Sequence, residues 1–91
     1  MGIKVQFEKT DTFGGESNYS WVKRANVEFP DGTSDLSIFR KAKSWAGYSG
    51  LRGVKTDYGD SIDFRPYRIC QVLFVTSAWD SDGTFIAAKD L

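Results

Sequence analysis

The stretch Thr33-Ser34-Asp35-Leu36-Ser37-Ile38-Phe39-Arg40-Lys41-Ala42-Lys43-Ser44-Trp45-Ala46-Gly47 decides the fold. Ile38, Phe39, Ala42, Trp45 and Ala46 recur at i, i+1, i+4, i+7 and i+8, which is a single stripe along an α-helix. Thr33, Ser34 and Asp35 supply side-chain oxygens for the free N–H groups of a first turn, and Gly47 accepts the left-handed conformation that ends a last one. Arg40, Lys41 and Lys43 fall in the later turns, where positive charge suits the helix dipole. A helix is predicted over Asp35 to Ala46.

On both sides of it the period changes to two. Ile3, Val5 and Phe7 oppose Lys4, Gln6 and Glu8, as in a half-buried strand. Asp11 to Asn18, with its Gly14-Gly15 pair, reads as a loop, and alternation resumes through Tyr19, Trp21, Ala25, Val27 and Phe29 until Pro30-Asp31-Gly32 stops it. After the helix, Leu51 to Thr56 and Ser61 to Arg65 flank the turn Asp57-Tyr58-Gly59-Asp60, and Pro66 ends the second of these strands or places it on an edge. Ile69 to Ser77, rich in β-branched residues, reads as the central and most buried strand. Asp80-Ser81-Asp82-Gly83 forms a last turn before a short strand, Thr84 to Ala87. The order β-β-α-β-β-β implies an α+β domain spanning residues 1–91, an antiparallel sheet of about five strands with a single helix packed on one face. So narrow a stripe leaves the other sheet face partly wet.

Composition narrows function by exclusion. The 91 residues include 12 basic and 12 acidic side chains and no histidine, which removes Ser-His-Asp and Cys-His nucleophilic arrangements and His-containing zinc sites. Cys70, the single cysteine, cannot form an internal disulfide and reads as an inert mid-strand hydrophobe, compatible with a reducing cytoplasm. The amino-terminal residues alternate where a secretory signal needs an apolar run, and the longest apolar run, Val72 to Val75, is far too short for a membrane helix. Gly50 to Lys55 lacks the spacing and the Ser/Thr of a phosphate-binding loop. Asp57, Asp60 and Asp63 are candidates for a metal or acid–base pair, but aspartate is ordinary in turns because its side chain bonds local N–H groups. The Asp80 to Thr84 segment lacks the remaining ligands of a calcium loop. The expectation is no cofactor, no metal and no enzyme.

The charge distribution is uneven. Residues 1–35 carry six acidic and four basic side chains and residues 57–91 six and three, while the stretch between holds Arg40, Lys41, Lys43, Arg52 and Lys55 and no acid. With Trp45 and Tyr48 these five form the candidate partner surface. Phosphate contacts with stacked rings would suit nucleic acid, but a pI near 6.2 is well below that usual for such binders. Fourteen aromatic residues, three of them tryptophan, exceed what so small a core can enclose. Phe7, Phe29, Phe39, Phe64 and Phe74 occupy core positions of the pattern. Tyr19, Trp21, Tyr48, Tyr58, Tyr67 and Trp79 sit beside loops or at strand ends, and such residues are enriched in interface hot spots.

The segments Asn18 to Arg24, Ser37 to Lys43 and Tyr58 to Pro66 resemble small bacteriophage-encoded proteins to which no activity is assigned, a likeness covering roughly residues 18 to 75. It implies a setting in host cytoplasm and carries over no site residue. The resulting expectation is a non-enzymatic interaction protein that binds and inhibits a host or defence macromolecule. The alternatives are a nucleic-acid-binding module using the basic helix and a binder of a nucleotide signal. Edge strands leave room for self-association.

Overall fold

A computed structural model describes residues 2–14, 16–78 and 83–91. The chain runs through β1 (Ile3–Phe13), β2 (Glu16–Phe29), α1 (Asp35–Ala46), β3 (Gly53–Asp57), β4 (Ser61–Pro66), β5 (Gln71–Ser77) and β6 (Ile86–Ala87), then a 3₁₀ turn at Ala88–Asp90. The fold is α+β, with six strands in one sheet, ordered β3-β4-β5-β1-β2-β6. β5 lies between β4 and β1, as its composition suggests.

The helix forms over the predicted residues. The Ser34 hydroxyl accepts from Ser37 N at 3.2 Å, and Gly47 adopts φ +81°. Gly47 N bonds Ser44 O and Tyr48 N bonds Lys43 O, the paired bonds of a Schellman ending, which folds the apolar residue after the glycine back onto the core. The helix covers one sheet face. Val5 and Phe7 stand opposite Val27 and Ala25 on β2 and opposite Ser77 and Val75 on β5, while Ile62 and Phe64 of β4 stand opposite Val75 and Leu73. Onto these pack Ile38, Phe39, Ala42 and Ala46. Phe39 meets Phe64 edge-on at 5.5 Å between ring centroids, and Trp45 lies 5.7 Å from Phe7. Each large enclosed side chain contributes about 1.5–3 kcal/mol by leaving water.

The other face carries Lys4, Gln6 and Glu8 beside Glu28, Asn26 and Arg24. Glu8 and Arg24 pair at 2.6 Å, an exposed pairing of the kind that contributes about 1 kcal/mol at most.

Four expectations are corrected. Asp11 to Asn18 is not a loop: β1 continues to Phe13 and β2 begins at Glu16, because Asp11 satisfies backbone and side-chain donors that would otherwise need a turn. The sheet is mixed rather than antiparallel, since β6 runs parallel to β2 through Val27–Ile86 and Glu28–Ala87. Cys70 lies exposed ahead of β5, in the connection where Arg68 takes φ +65°, so it packs against no core. Phe74, partly buried, falls on the face away from the helix, because Glu8, its neighbour on β1, points there. Trp79 and the turn at Asp80-Ser81-Asp82 lie outside the described residues.

Candidate functional site

The basic candidates separate on folding. Lys43 lies on the flank of α1 that overlooks β4, while exposed Arg40 lies on the outward side of the helix, nearly opposite the buried stripe. The Lys43 ammonium donates to Leu51 O at 2.8 Å and stands 4.7 Å from the centroid of Phe64; the Lys55 ammonium, from β3, stands 4.5 Å from Phe39. Two cations therefore converge on one edge-on pair of rings, and exposed Arg52 immediately precedes the same edge strand. Lys41 lies on the opposite flank, above Trp45, whose ring is half-buried on Phe7. Tyr48 leaves the proposed surface altogether. It is 3% exposed, because the Schellman ending turns it inward, and its hydroxyl donates to Gln71 Oε1. Burial pushes its phenol up to about 12. Among the described residues, none of the five bases is ion-paired with a carboxylate.

The acidic trio does not assemble. Asp57 accepts Gly59 N at 2.8 Å, an ordinary turn bond, and lines a cavity of about 140 Å³ with Asp60 and Asp35 at the start of α1. Asp63 points to the other sheet face, next to Phe74, where its Oδ1 is buried without a hydrogen-bond partner. Among the described residues no three acidic or cysteine side chains are placed to hold a metal ion.

What the sequence did not disclose is the end of the β1–β2 hairpin. The register passes from Thr10–Val22 directly to Thr12–Ser17, so Asn18, Tyr19, Ser20 and Trp21 bulge opposite Asp11. Asp11 fixes the bulge. Its Oδ1 accepts Ser20 N at 2.9 Å and Thr10 Oγ1 at 3.2 Å, and its Oδ2 accepts Ser20 Oγ at 2.6 Å and Asn18 Nδ2 at 2.9 Å. The Ser20 hydroxyl first and the Asn18 amide next hold the Asp11 carboxyl down at about 2.

Held this way, Tyr19 takes φ +56°, a left-handed conformation disfavoured for an aromatic residue by about 1–2 kcal/mol. Tyr19 is 52% exposed, Trp21 40% and Phe13 80%. Thr12 N bonds Cys70 O at 2.9 Å, which brings the β4–β5 connection and exposed Tyr67 to the same end. Lys9 ties the hairpin to the body. Its ammonium donates to Ala46 O at 2.8 Å, a cation at a helix C-terminus, between the rings of Trp21 and Tyr48. Burial there, with Lys23 nearby, lowers the Lys9 pKa.

Tyr19, Trp21 and Tyr67 were among the rings expected at the surface; Phe13 was missed. The signal available for it was the alternation Asp11-Thr12-Phe13 carried up to Gly14-Gly15. No protein-family model, curated protein or solved structure matches the chain.

Proposed function

We propose that this chain is a non-enzymatic binding domain, bacteriophage-encoded as its resemblance implies, that docks on a host or defence protein and inhibits it. One observation carries the reading: a hairpin end that exposes Phe13, Tyr19 and Trp21 while an aspartate network holds Tyr19 in a costly conformation. Stability alone does not favour that arrangement, since exposed rings bury little and a positive φ strains the backbone. Binding does, because aromatic side chains on a fixed frame lose little entropy on docking and dominate hot spots.

The test is capture of a partner from bacterial lysate by the tagged wild-type chain, after nuclease treatment, set against the Trp21→Ala and Phe13→Ser variants. A stoichiometric protein captured by wild type and lost from both folded variants is the expected result. Equal capture by all three refutes the hairpin as the surface.

A second reading rests on Arg40, Lys43, Arg52 and Lys55, which have no acidic partner among the described residues and would suit nucleic acid. It requires steep weakening with salt, since each phosphate contact releases counterions. Affinity for an oligonucleotide that is flat from low to moderate salt rejects it.

A further inference from the structure

Strand β3 forms one edge of the sheet, and its hydrogen bonds show which of its groups face outward. Tyr67 N donates to Arg52 O at 2.9 Å and Tyr58 N to Ser61 O at 2.8 Å. Because hydrogen-bonded pairs recur every second residue in an antiparallel ladder, Arg52, Val54, Thr56 and Tyr58 direct their main-chain groups inward to β4. Gly53, Lys55 and Asp57 therefore turn their N–H and C=O groups to the free edge. Gly53 marks how closely the two strands approach there: a Cβ at this position would collide with Arg65 O.

The side chains along this edge are self-complementary in one register. Two copies of β3 laid antiparallel about a two-fold axis at Thr56 place Thr56 against Thr56, Lys55 against Asp57, and Val54 against Tyr58. Lys55 and Asp57 project on the helix face, and Val54, Thr56 and Tyr58 on the other, so every opposed pair shares a face. Each pair is of a favourable cross-strand kind: hydroxyl with hydroxyl, cation with anion, β-branched with aromatic. The features left unexplained within one copy are then accounted for. Among the described residues Lys55 has no acidic partner in its own chain and Asp57 uses one carboxylate oxygen on Gly59 N and leaves the other, while Val54 and Tyr58 are 50% and 64% exposed. Displacing the axis to Lys55 would oppose two lysines, which selects the Thr56 register over that neighbour.

We propose that the protein forms a two-fold dimer through β3, each Lys55–Asp57 pair exchanging both main-chain hydrogen bonds so that two six-stranded sheets become one. The contact is isologous and closes on itself. It is also small, so the dissociation constant falls on the order of micromolar rather than nanomolar. The seam lies at the sheet edge away from β2 and β6, and this inference goes beyond the hairpin reading and does not depend on it.

Charge reversal tests it. In sedimentation equilibrium over a concentration series, the wild-type chain is expected to pass from monomer to dimer. The Lys55→Asp variant opposes aspartate to aspartate and the Asp57→Lys variant lysine to lysine, and each alone is expected to associate about tenfold more weakly. An equimolar mixture of the two restores opposite charges at both pairs and is expected to dimerise again, which no defect in folding would produce. Amide exchange supplies an independent reading on the wild-type chain. Lys55 and Asp57 should become protected as concentration rises, while Val54 and Thr56 are protected throughout. A chain that stays monomeric at millimolar concentration, variants that dimerise like wild type, or a mixture that stays monomeric would each overturn the proposal.

Discussion

The half of the sheet under α1 and the end of the β1–β2 hairpin use the same kinds of residue to opposite ends. Under the helix, Phe7, Phe29, Phe39 and Phe64 are enclosed and order comes from ring packing. At the hairpin end, Phe13, Tyr19 and Trp21 face solvent, and order comes from one carboxylate that gathers four hydrogen bonds. Aromatic content alone therefore does not identify core; what distinguishes the two regions is whether a second layer lies above. A polar network can hold a shape that packing does not reward, and that combination marks the hairpin as the part of the molecule shaped for something outside it.

The largest effect should come from opening the packed half. Phe7→Ala removes a fully enclosed ring and is expected to cost about 3–5 kcal/mol in urea unfolding, a large share of a small domain's stability. Next, Trp21→Ala is expected to weaken capture of the partner by about 2 kcal/mol while costing about 1 kcal/mol in unfolding, well short of Phe7→Ala. If Trp21→Ala instead destabilises like Phe7→Ala, the two regions are not different in kind. Tyr48→Phe sharpens the boundary: it leaves Gln71 without its donor and should cost about 1 kcal/mol with no loss of capture.

Tyr19→Gly is expected to go the other way, relieving the positive φ and raising stability by about 0.5–1 kcal/mol after the glycine's own entropy, while capture weakens. The smallest effect is one of pH. The Asp11 carboxyl is held at about 2 in the folded chain, below its ordinary 3.8, so its contribution is present above about pH 4 and is lost as pH falls toward 2. Ser20 amide exchange should quicken across that window while amides of β5 stay protected; loss of both together would tie the bulge to the core after all.

The parts of this architecture that were legible in the sequence are those governed by local pattern. Helix α1, its Ser34 cap and its Gly47 stop follow from spacing and from two residues with special backbone roles. The strands follow from alternation, and the wet second face follows from the narrow stripe. What escaped depended on partners far along the chain. Asp11 looks like a loop residue until Asn18 and Ser20 are seen to fold onto it, and the residues up to Phe13 and from Glu16 were read as loop when they extend two long strands. Tyr48 looks like a surface ring because the residue after a helix-ending glycine has no periodic neighbour, yet the Schellman ending directs it to Gln71, 23 residues on. Of the candidate surface, helical spacing places Arg40 and Lys43 outside the buried stripe. That Lys55 meets Lys43 depends on Phe39 and Phe64 meeting across the core, which alternation cannot disclose.

The pairing of β1 with β5 also governs how fast this chain reaches its native state. β1 finds β2 close by in sequence, a local closure, but Val5 meets Ser77 only after the helix and all the strands between them have been made. Closing so long a loop costs entropy before any contact repays it, and chains dominated by such non-local pairings fold in milliseconds to seconds. On the ribosome the β1–β2 hairpin and α1 therefore wait, with Phe7 and Val27 uncovered on their sheet side, until β5 emerges.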